Sequence, residues 1–384
     1  MTGQNSTQQS VVTQSNLCRL ARHLCHAYEW EDGLISLSYG VSHIFPSSFP
    51  ANKMTDVIDR NRSSSNSVVT DFPLSRKADP SVVPFKELTA SAVADIYNKA
   101  GDDYATYADG DPEQLFAFDG MHAFADRQLW TRLEAKLVDL RATGARSIRI
   151  LDAGCGPGTW LRRLVLRAYG LGFTGVEARG FDIAQVQIER ARLLSKPLCT
   201  LPGINLSFDV ADLTGRLPEA DASVDITLCL YSVLSHLPVA ALPTIAAELT
   251  RVTGRHFFTT VRPIGSPPTA FVDSMAKVQR LKQDHIENRC EIELNDGRRV
   301  AFGFHLFSAV ELREYFSPHL DIEDVSGLDL FHTRFMPDPR WNLSEDTLRL
   351  SDELAELESA HAANRELMNS AAHLLLVGRR RRPA

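Results

Sequence analysis

Between Ser147 and Arg262 short apolar runs alternate with helical stretches, and this alternation constrains the fold of the chain more than any other feature. Strands are expected at Ile148–Leu151, Ala178–Phe181, Ile204–Phe208, Val224–Leu230 and His256–Val261. Helices are expected between them at Trp160–Ala168, Ala184–Leu194 and Val239–Thr250. Runs that are apolar at consecutive positions belong to strands buried on both faces, so the pattern predicts a doubly wound parallel sheet with helices on either side. Upstream, Leu129, Leu133, Leu137 and Leu140 form one stripe of a helix over Phe124–Leu140, and a shorter helix is expected around Ala94 and Tyr97.

After Arg262 the alternation breaks. Residues 270–288 read as helical, and strands at Cys290–Leu294 and Arg299–Phe307 flank the turn signal Asn295-Asp296-Gly297. A helix near Ala309–Phe316, a strand near Leu320–Val325, a long helix around Glu345–Met368 and a strand at His373–Val377 follow. The arginine run Arg379–Arg382 reads as a solvated tail.

Residues 1–90 are rich in Ser, Thr, Asn, Gln and Pro and are expected to be largely disordered, apart from a short amphipathic helix near 17–28. The expected organisation is therefore an N-terminal extension, 1–90, and one domain, 91–384. That domain comprises a lid at 91–146, a core at 147–262, an insertion at 263–307 and C-terminal core elements at 308–378.

A net charge of −7 weighs against general nucleic-acid binding, which needs a basic surface. The six cysteines have no paired spacing, and the first sixteen residues are polar, with no cleavable apolar segment after them. No apolar run approaches the ~20 residues of a membrane helix. A cytoplasmic protein with free thiols is expected. Cys18, His23, Cys25 and His26 fit no standard zinc spacing, and no metal site is expected.

Three acids carry the chemistry. Asp152 ends the first strand and is followed by Gly154, Cys155, Gly156, Pro157 and Gly158. In an open α/β sheet, ligands bind beyond the carboxyl ends of strands, and glycines there let the backbone approach closely. The helix opening at Thr159 turns its positive end to the same place. Asp182 ends the second strand, where a carboxylate can accept both hydroxyls of a ribose. Asp212 follows the third strand and can accept from an exocyclic adenine amine, with Ile183 and Leu213 as apolar neighbours for the ring.

The order Leu-Asp-Ala-Gly-Cys-Gly-Pro-Gly, Gly-Phe-Asp-Ile, Asp212-Leu213 and Val233-Leu234-Ser235-His236-Leu237-Pro238 resembles the class I S-adenosylmethionine-dependent methyltransferases over about 147–262. The resemblance implies a Rossmann-like, seven-stranded sheet, mostly parallel, whose last strand runs antiparallel beside the sixth. It implies S-adenosyl-L-methionine as cofactor, in the roles just given to the three acids. The usual Lys-Pro-Gly-Gly before the fifth strand is replaced by Thr253-Gly254-Arg255. Tyr104–Gly110 and Asp126-Arg127 are similar to the N-terminal lid of small-molecule methyltransferases, which makes Arg127 a candidate for the methionyl carboxylate. His236, after the fourth strand, is the candidate catalytic residue, either a general base or a residue packed beneath the cofactor. His305 is a candidate for substrate contact, Tyr104 and Tyr107 either cap the active site or pack as a pair on a helix, and Asp225 is a candidate for support of its strand.

The Asn/Asp-Pro-Pro-Tyr sequence of nucleic-acid amino methylation is absent, and Cys229 has no second cysteine at the next strand end. The expected substrate is therefore a small organic acceptor. Two alternatives stand beside it: an RNA or protein methyltransferase gripping with its arginine tail and N-terminal arm, and a silent cofactor-binding scaffold.

Overall fold

The computed structural model describes residues 93–98, 101, 110–266, 278–284, 286–295, 297, 299–332 and 347–381. Every described residue belongs to one compact unit. The amphipathic stretch 17–28, its cysteines and histidines, Tyr104 and Tyr107 lie outside the described residues.

The described chain runs α1 (Ala123–Ala142), β1 (Ser147–Ala153), α2 (Thr159–Gly170), β2 (Gly175–Asp182), α3 (Gln185–Ser195), β3 (Ile204–Val210), β4 (Val224–Cys229), α4 (Leu242–Val252) and β5 (Thr253–Val261). Then come β6 (Val278–Asp284), β7 (Arg289–Leu294), β8 (Arg299–Gly303), α5 (Ala309–Phe316), β9 (Leu320–Leu328), α6 (Thr347–His361) and β10 (His373–Arg380). Residues 93–98 form a further helical stretch.

Seven strands make one sheet in the order β3-β2-β1-β4-β5-β10-β9. Strands β1 to β5 pair in parallel, whereas β10 is antiparallel to both neighbours. This is the expected Rossmann-like arrangement, with the last strand beside the sixth strand of the sheet. Its strand order reverses between β1 and β4, which places the binding crevice beyond their carboxyl ends.

Alternate residues of each central strand feed two separate cores. Ile148 and Ile150 pack with the α1 stripe Leu129, Leu133, Leu137 and Leu140 and with Leu161 and Leu164 of α2. Leu151 and Ala153 pack with Ile245 and Leu249 of α4 and with Leu312 and Phe316 of α5. Strand β10 does the same, Leu375 and Val377 facing one core and Leu374 and Leu376 the other, which is why it reads as a continuous apolar run. Helix α5 opens on a reciprocal capping box between Ser308 and Glu311.

Three expectations need correction. The segment expected to be helical over 270–288 contains strand β6, the edge of a three-stranded sheet in the order β6-β7-β8. A register shift lies between Val278 and Arg280, so Val278 opposes Leu294 while Leu281 opposes Ile292. Apolar positions three apart thus stand opposite positions two apart, and the bulge imitates helical spacing. Second, α6 stops at His361, short of Met368; turns and a one-turn 3-10 helix, Met368–Ser370, link it to β10.

Third, Arg380 is built into the fold, while Arg379 and Arg381 are exposed as expected. Arg380 Nη1 donates to the carbonyls of Thr250 (3.4 Å), Arg251 (3.1 Å) and Thr253 (2.9 Å), fastening β10 to the end of α4. Arg379 pairs with Glu323, and Arg381 with Asp321 and the Ser317 carbonyl. A guanidinium beside the free carbonyls of a helix end satisfies groups that the helix cannot.

Candidate functional site

The crevice beyond β1 and β4 is organised by Asp182. Its Oδ2 accepts from the Gly156 amide and its Oδ1 from the Ala184 amide, each at 2.9 Å. One carboxylate therefore ties the glycine turn after β1 to the start of α3. It is not the helix cap itself, a position occupied by Ala184. Burial raises the Asp182 pKa above the ordinary carboxylate value, against the lowering effect of those amides.

The glycines have different reasons. Gly156 has φ +51°, and a Cβ there would meet nothing within 4 Å, so its side faces open space. Gly154 has φ +77° and lies so close to Val233 that a Cβ would stand 2.4 Å from Val233 Cγ2. Gly158 is the N-cap of α2. Cys155 points the other way, into the core beside Trp160 and Ala178. Burial pushes its thiol well above the ordinary value, and the charges of Asp152 and Asp182 push it further. Only the backbone of Cys155 is available to a ligand.

Asp152 is buried at the end of β1, 2% exposed. Asp212 is exposed, with Oδ1 accepting from the Thr214 amide at 2.8 Å, a tight turn that fixes its carboxylate. Ile183 is half-buried and Leu213 buried. Asp182, Ile183 and the turn carrying Asp212 come together through the parallel pairing of β2 with β3 and the hydrogen bond from Ala211 N to Asp182 O at 3.0 Å.

His236 lies in a 3-10 turn, Val233–His236, after β4. Its Nε2 is 2.9 Å from the Tyr97 hydroxyl, and its ring meets Phe304 edge-on at 4.9 Å. Burial lowers its pKa to about 4. The helical stretch 93–98 is held here from two sides, since Asn98 Oδ1 also accepts from the Val186 amide at 3.1 Å. Gln187 Nε2 adds a bond to the Gly101 carbonyl. Arg127 is exposed on α1, its Nη1 donating to the Phe118 carbonyl at 3.2 Å. His305 is clamped between Asn288 Oδ1 (2.7 Å) and Glu311 Oε1 (2.6 Å). Asp225 accepts from the Arg149 amide and pairs with Arg255, supporting its strand.

A second group of side chains was not singled out in the sequence as a site. Tyr231, immediately after Leu230, stacks near Trp160 (5.9 Å, 26°) and His122 (5.6 Å, 19°), and meets His373 edge-on at 5.1 Å. Its hydroxyl donates to Asp126, a carboxylate 2% exposed that lies 3.6 Å from Arg163 Nη1. Tyr231 and Ser232 have φ of +51° and +69°, held by hydrogen bonds to Thr260 Oγ1 (2.6 Å) and the Thr260 carbonyl (3.0 Å). Two consecutive non-glycine residues in the left-handed region form a strained turn of the kind that persists at functional sites.

Residues 150–255 match a family model described as a methyltransferase domain. The chain carries a class I S-adenosylmethionine-dependent methyltransferase domain, with the strand order and antiparallel seventh strand of that fold. Among solved structures it is similar to magnesium protoporphyrin IX methyltransferase from Synechocystis with bound S-adenosylhomocysteine, at 15% identity and TM-score 0.43, covering 76% of this chain and 100% of that one. It is also similar to an S-adenosylmethionine-dependent methyltransferase from Mesorhizobium loti, at 18% identity and TM-score 0.37, covering 65% and 97%. A third is a protein of Pyrococcus horikoshii, at 15% identity and TM-score 0.41, covering 72% and 96%. No curated protein sequence matches. Among the described residues no helix is long and apolar enough to cross a membrane.

Proposed function

We propose that this chain transfers the methyl group of S-adenosylmethionine to a small organic acceptor. The observation that carries the reading is the glycine turn hung on Asp182, with open space beside Gly156. Asp182 keeps lone pairs for the ribose hydroxyls. Asp212 faces the adenine amine, and Ile183 and Leu213 border the ring. The backbone at Gly154, Cys155, Gly156 and Gly158, with Asp152 behind it, lines the methionyl portion. Arg127 is the candidate for the methionyl carboxylate; its bond to Phe118 O would be exchanged for that contact.

When bound, the cofactor supplies a methyl group on a positively charged sulfur, reactive enough that alignment and exclusion of water are the protein's main tasks. The lid, 91–146, and the insertion, 263–307, do the excluding. His236 at that edge is neutral at pH 7 and anchors the lid through Tyr97; accepting a proton at Nε2 would require Tyr97 to move aside. Of the arginines expected to grip RNA or protein, Arg380 is bound to backbone carbonyls and the exposed Arg379 and Arg381 pair with Glu323 and Asp321, which weakens the part of that alternative that rests on the arginine run. Cys155, Cys199, Cys229 and Cys290 are free thiols, which suits a cytoplasmic setting.

Titration calorimetry with S-adenosylhomocysteine tests the cofactor half of this reading, and absence of binding to the wild type would sink it. Tritium transfer from labelled cofactor into size-separated cell-extract fractions tests the acceptor half. Label is expected in the small-molecule fraction, and label confined to protein or RNA would overturn that half.

A further inference from the structure

The group around Tyr231 lies at the carboxyl edge of the sheet, next to the glycine turn. Trp160 belongs to the first turn of α2, and Val233, two residues beyond Tyr231, abuts Gly154. His373 opens β10, just before Leu374 pairs with Val261, and Arg262 follows Val261. The rings of His122 and His373 meet edge-on at 4.8 Å. His373 is 2% exposed, and its Nδ1 has no hydrogen-bond partner among the described residues. A buried imidazole nitrogen without a partner calls for an unseen one.

We propose that His122, Tyr231 and His373 receive the reacting group of the methyl acceptor, and that this group is an oxygen anion, a carboxylate or an ionised phenol or enol, in preference to an amine. The inference rests on the methyl-transfer reading above and names its substrate class.

The field at the site supports this choice. Burial, and then the Arg262 charge, lower the His122 pKa to about 4. Burial, His122 and Arg262 hold His373 well below its ordinary value. Burial disfavours a charge of either sign, so the choice falls to the Arg262 charge, which lowers both imidazoles, disfavours an ammonium group and favours an anion. Imidazoles this weakly basic are also poorly suited to stripping a proton from an amine or alcohol, so the acceptor has to arrive already nucleophilic. An oxygen anion meets both conditions. Its lone pair forms the new O–CH3 bond as the CH3–S bond breaks and that bond's electron pair returns to sulfur. Anion and sulfonium become a neutral ester or ether and a neutral thioether, with no proton to move. Neutralisation of charge is favoured in a site from which water is excluded.

The test uses the full chain loaded with S-adenosylhomocysteine and three shape-matched probe pairs: benzoate and benzylamine, phenylacetate and phenethylamine, hexanoate and hexylamine. Calorimetry at pH 7 is expected to show each carboxylate binding at least about tenfold more tightly than its amine partner. In His373→Leu and Tyr231→Phe that preference is expected to fall about tenfold, while S-adenosylhomocysteine affinity changes less than about threefold. Thermal melts check that the variants fold, and His373→Asn, which keeps a polar side chain, substitutes for a leucine variant that does not. Equal or tighter binding of the amines overturns the inference, as does an anion preference unchanged in every variant. Failure of the wild type to bind S-adenosylhomocysteine is a separate result, which sinks the methyl-transfer reading and the inference with it.

Discussion

The Asp182 carboxylate accepts the Gly156 amide across the gap between β2 and the turn after β1, and it accepts the Ala184 amide with its other oxygen. The residue that orders the glycine turn is thus the one proposed to meet a ribose. Asp182→Ala removes both jobs, leaving two amides without acceptors. We expect S-adenosylhomocysteine affinity to fall at least about a hundredfold and stability by about 1–3 kcal/mol. Asp182→Asn, which still offers one acceptor oxygen, should retain more of both. Calorimetry and thermal melts on the two variants check the order; equal affinity of Asp182→Ala and wild type would exclude the assignment.

Stability should fall between pH 6.5 and 4. His122 and His236 stay neutral in the fold down to about pH 4, and His373 is likewise depressed. In the unfolded chain the same imidazoles protonate near pH 6.5. Below that value the unfolded state binds more protons, so acid favours unfolding, by up to about 3 kcal/mol for each imidazole with a folded value near 4. Asp182 and Glu358, whose values burial raises, act in the opposite sense and offset part of the loss at the acid end. Melting curves from pH 8 to pH 4 are expected to be flat above about pH 6.5 and to decline below it. His236→Gln should have a shallower decline; an identical slope would show that His236 is not depressed.

The part of this site that was legible in sequence is the part the chain writes locally. An acid at a strand end followed by a glycine turn occupies a few consecutive residues, and strands buried on both faces leave apolar runs, so β1 to β5 and Asp152, Asp182 and Asp212 could be located directly. The Tyr231 group has no such record. His122 caps α1, Tyr231 follows β4 and His373 opens β10, and the sheet order alone brings them together. Strand β6 misled for a different reason, since its bulge gives apolar residues a helical spacing. The arginine run misled because charge at a chain end suggests solvent, whereas β10 carries Arg380 back to the carbonyls at the end of α4.

That last arrangement gives a prediction confined to stability. Arg380→Gln removes a guanidinium nitrogen from three carbonyls at the α4–β5 junction, of which that of Arg251 also accepts from the Ala222 amide. We expect a loss of about 2 kcal/mol, read as a melting temperature lower by roughly 4–8 °C. The site lies at the opposite ends of the strands, so S-adenosylhomocysteine affinity should be unchanged. A variant that melts like the wild type would reduce the arginine to a surface residue after all.

Cysteine reactivity separates a methyl-transfer site from a covalent one. Cys155 and Cys229 both flank the crevice, and a covalent route would need one of them as a thiolate. Burial raises both thiols, Asp152 raises them further, and Cys290 is pushed up to about 11. Cys199 is the exposed thiol among the described residues. Because the thiolate is the reacting species, iodoacetamide at pH 7.5 should label Cys199 while Cys155, Cys229 and Cys290 remain unmodified until the chain is unfolded. Peptide mass spectrometry over a time course reads the order directly. Rapid labelling of Cys155 or Cys229 in the native protein would mean that a thiolate faces the crevice, and the in-line transfer argued above would then have a nucleophilic competitor to answer.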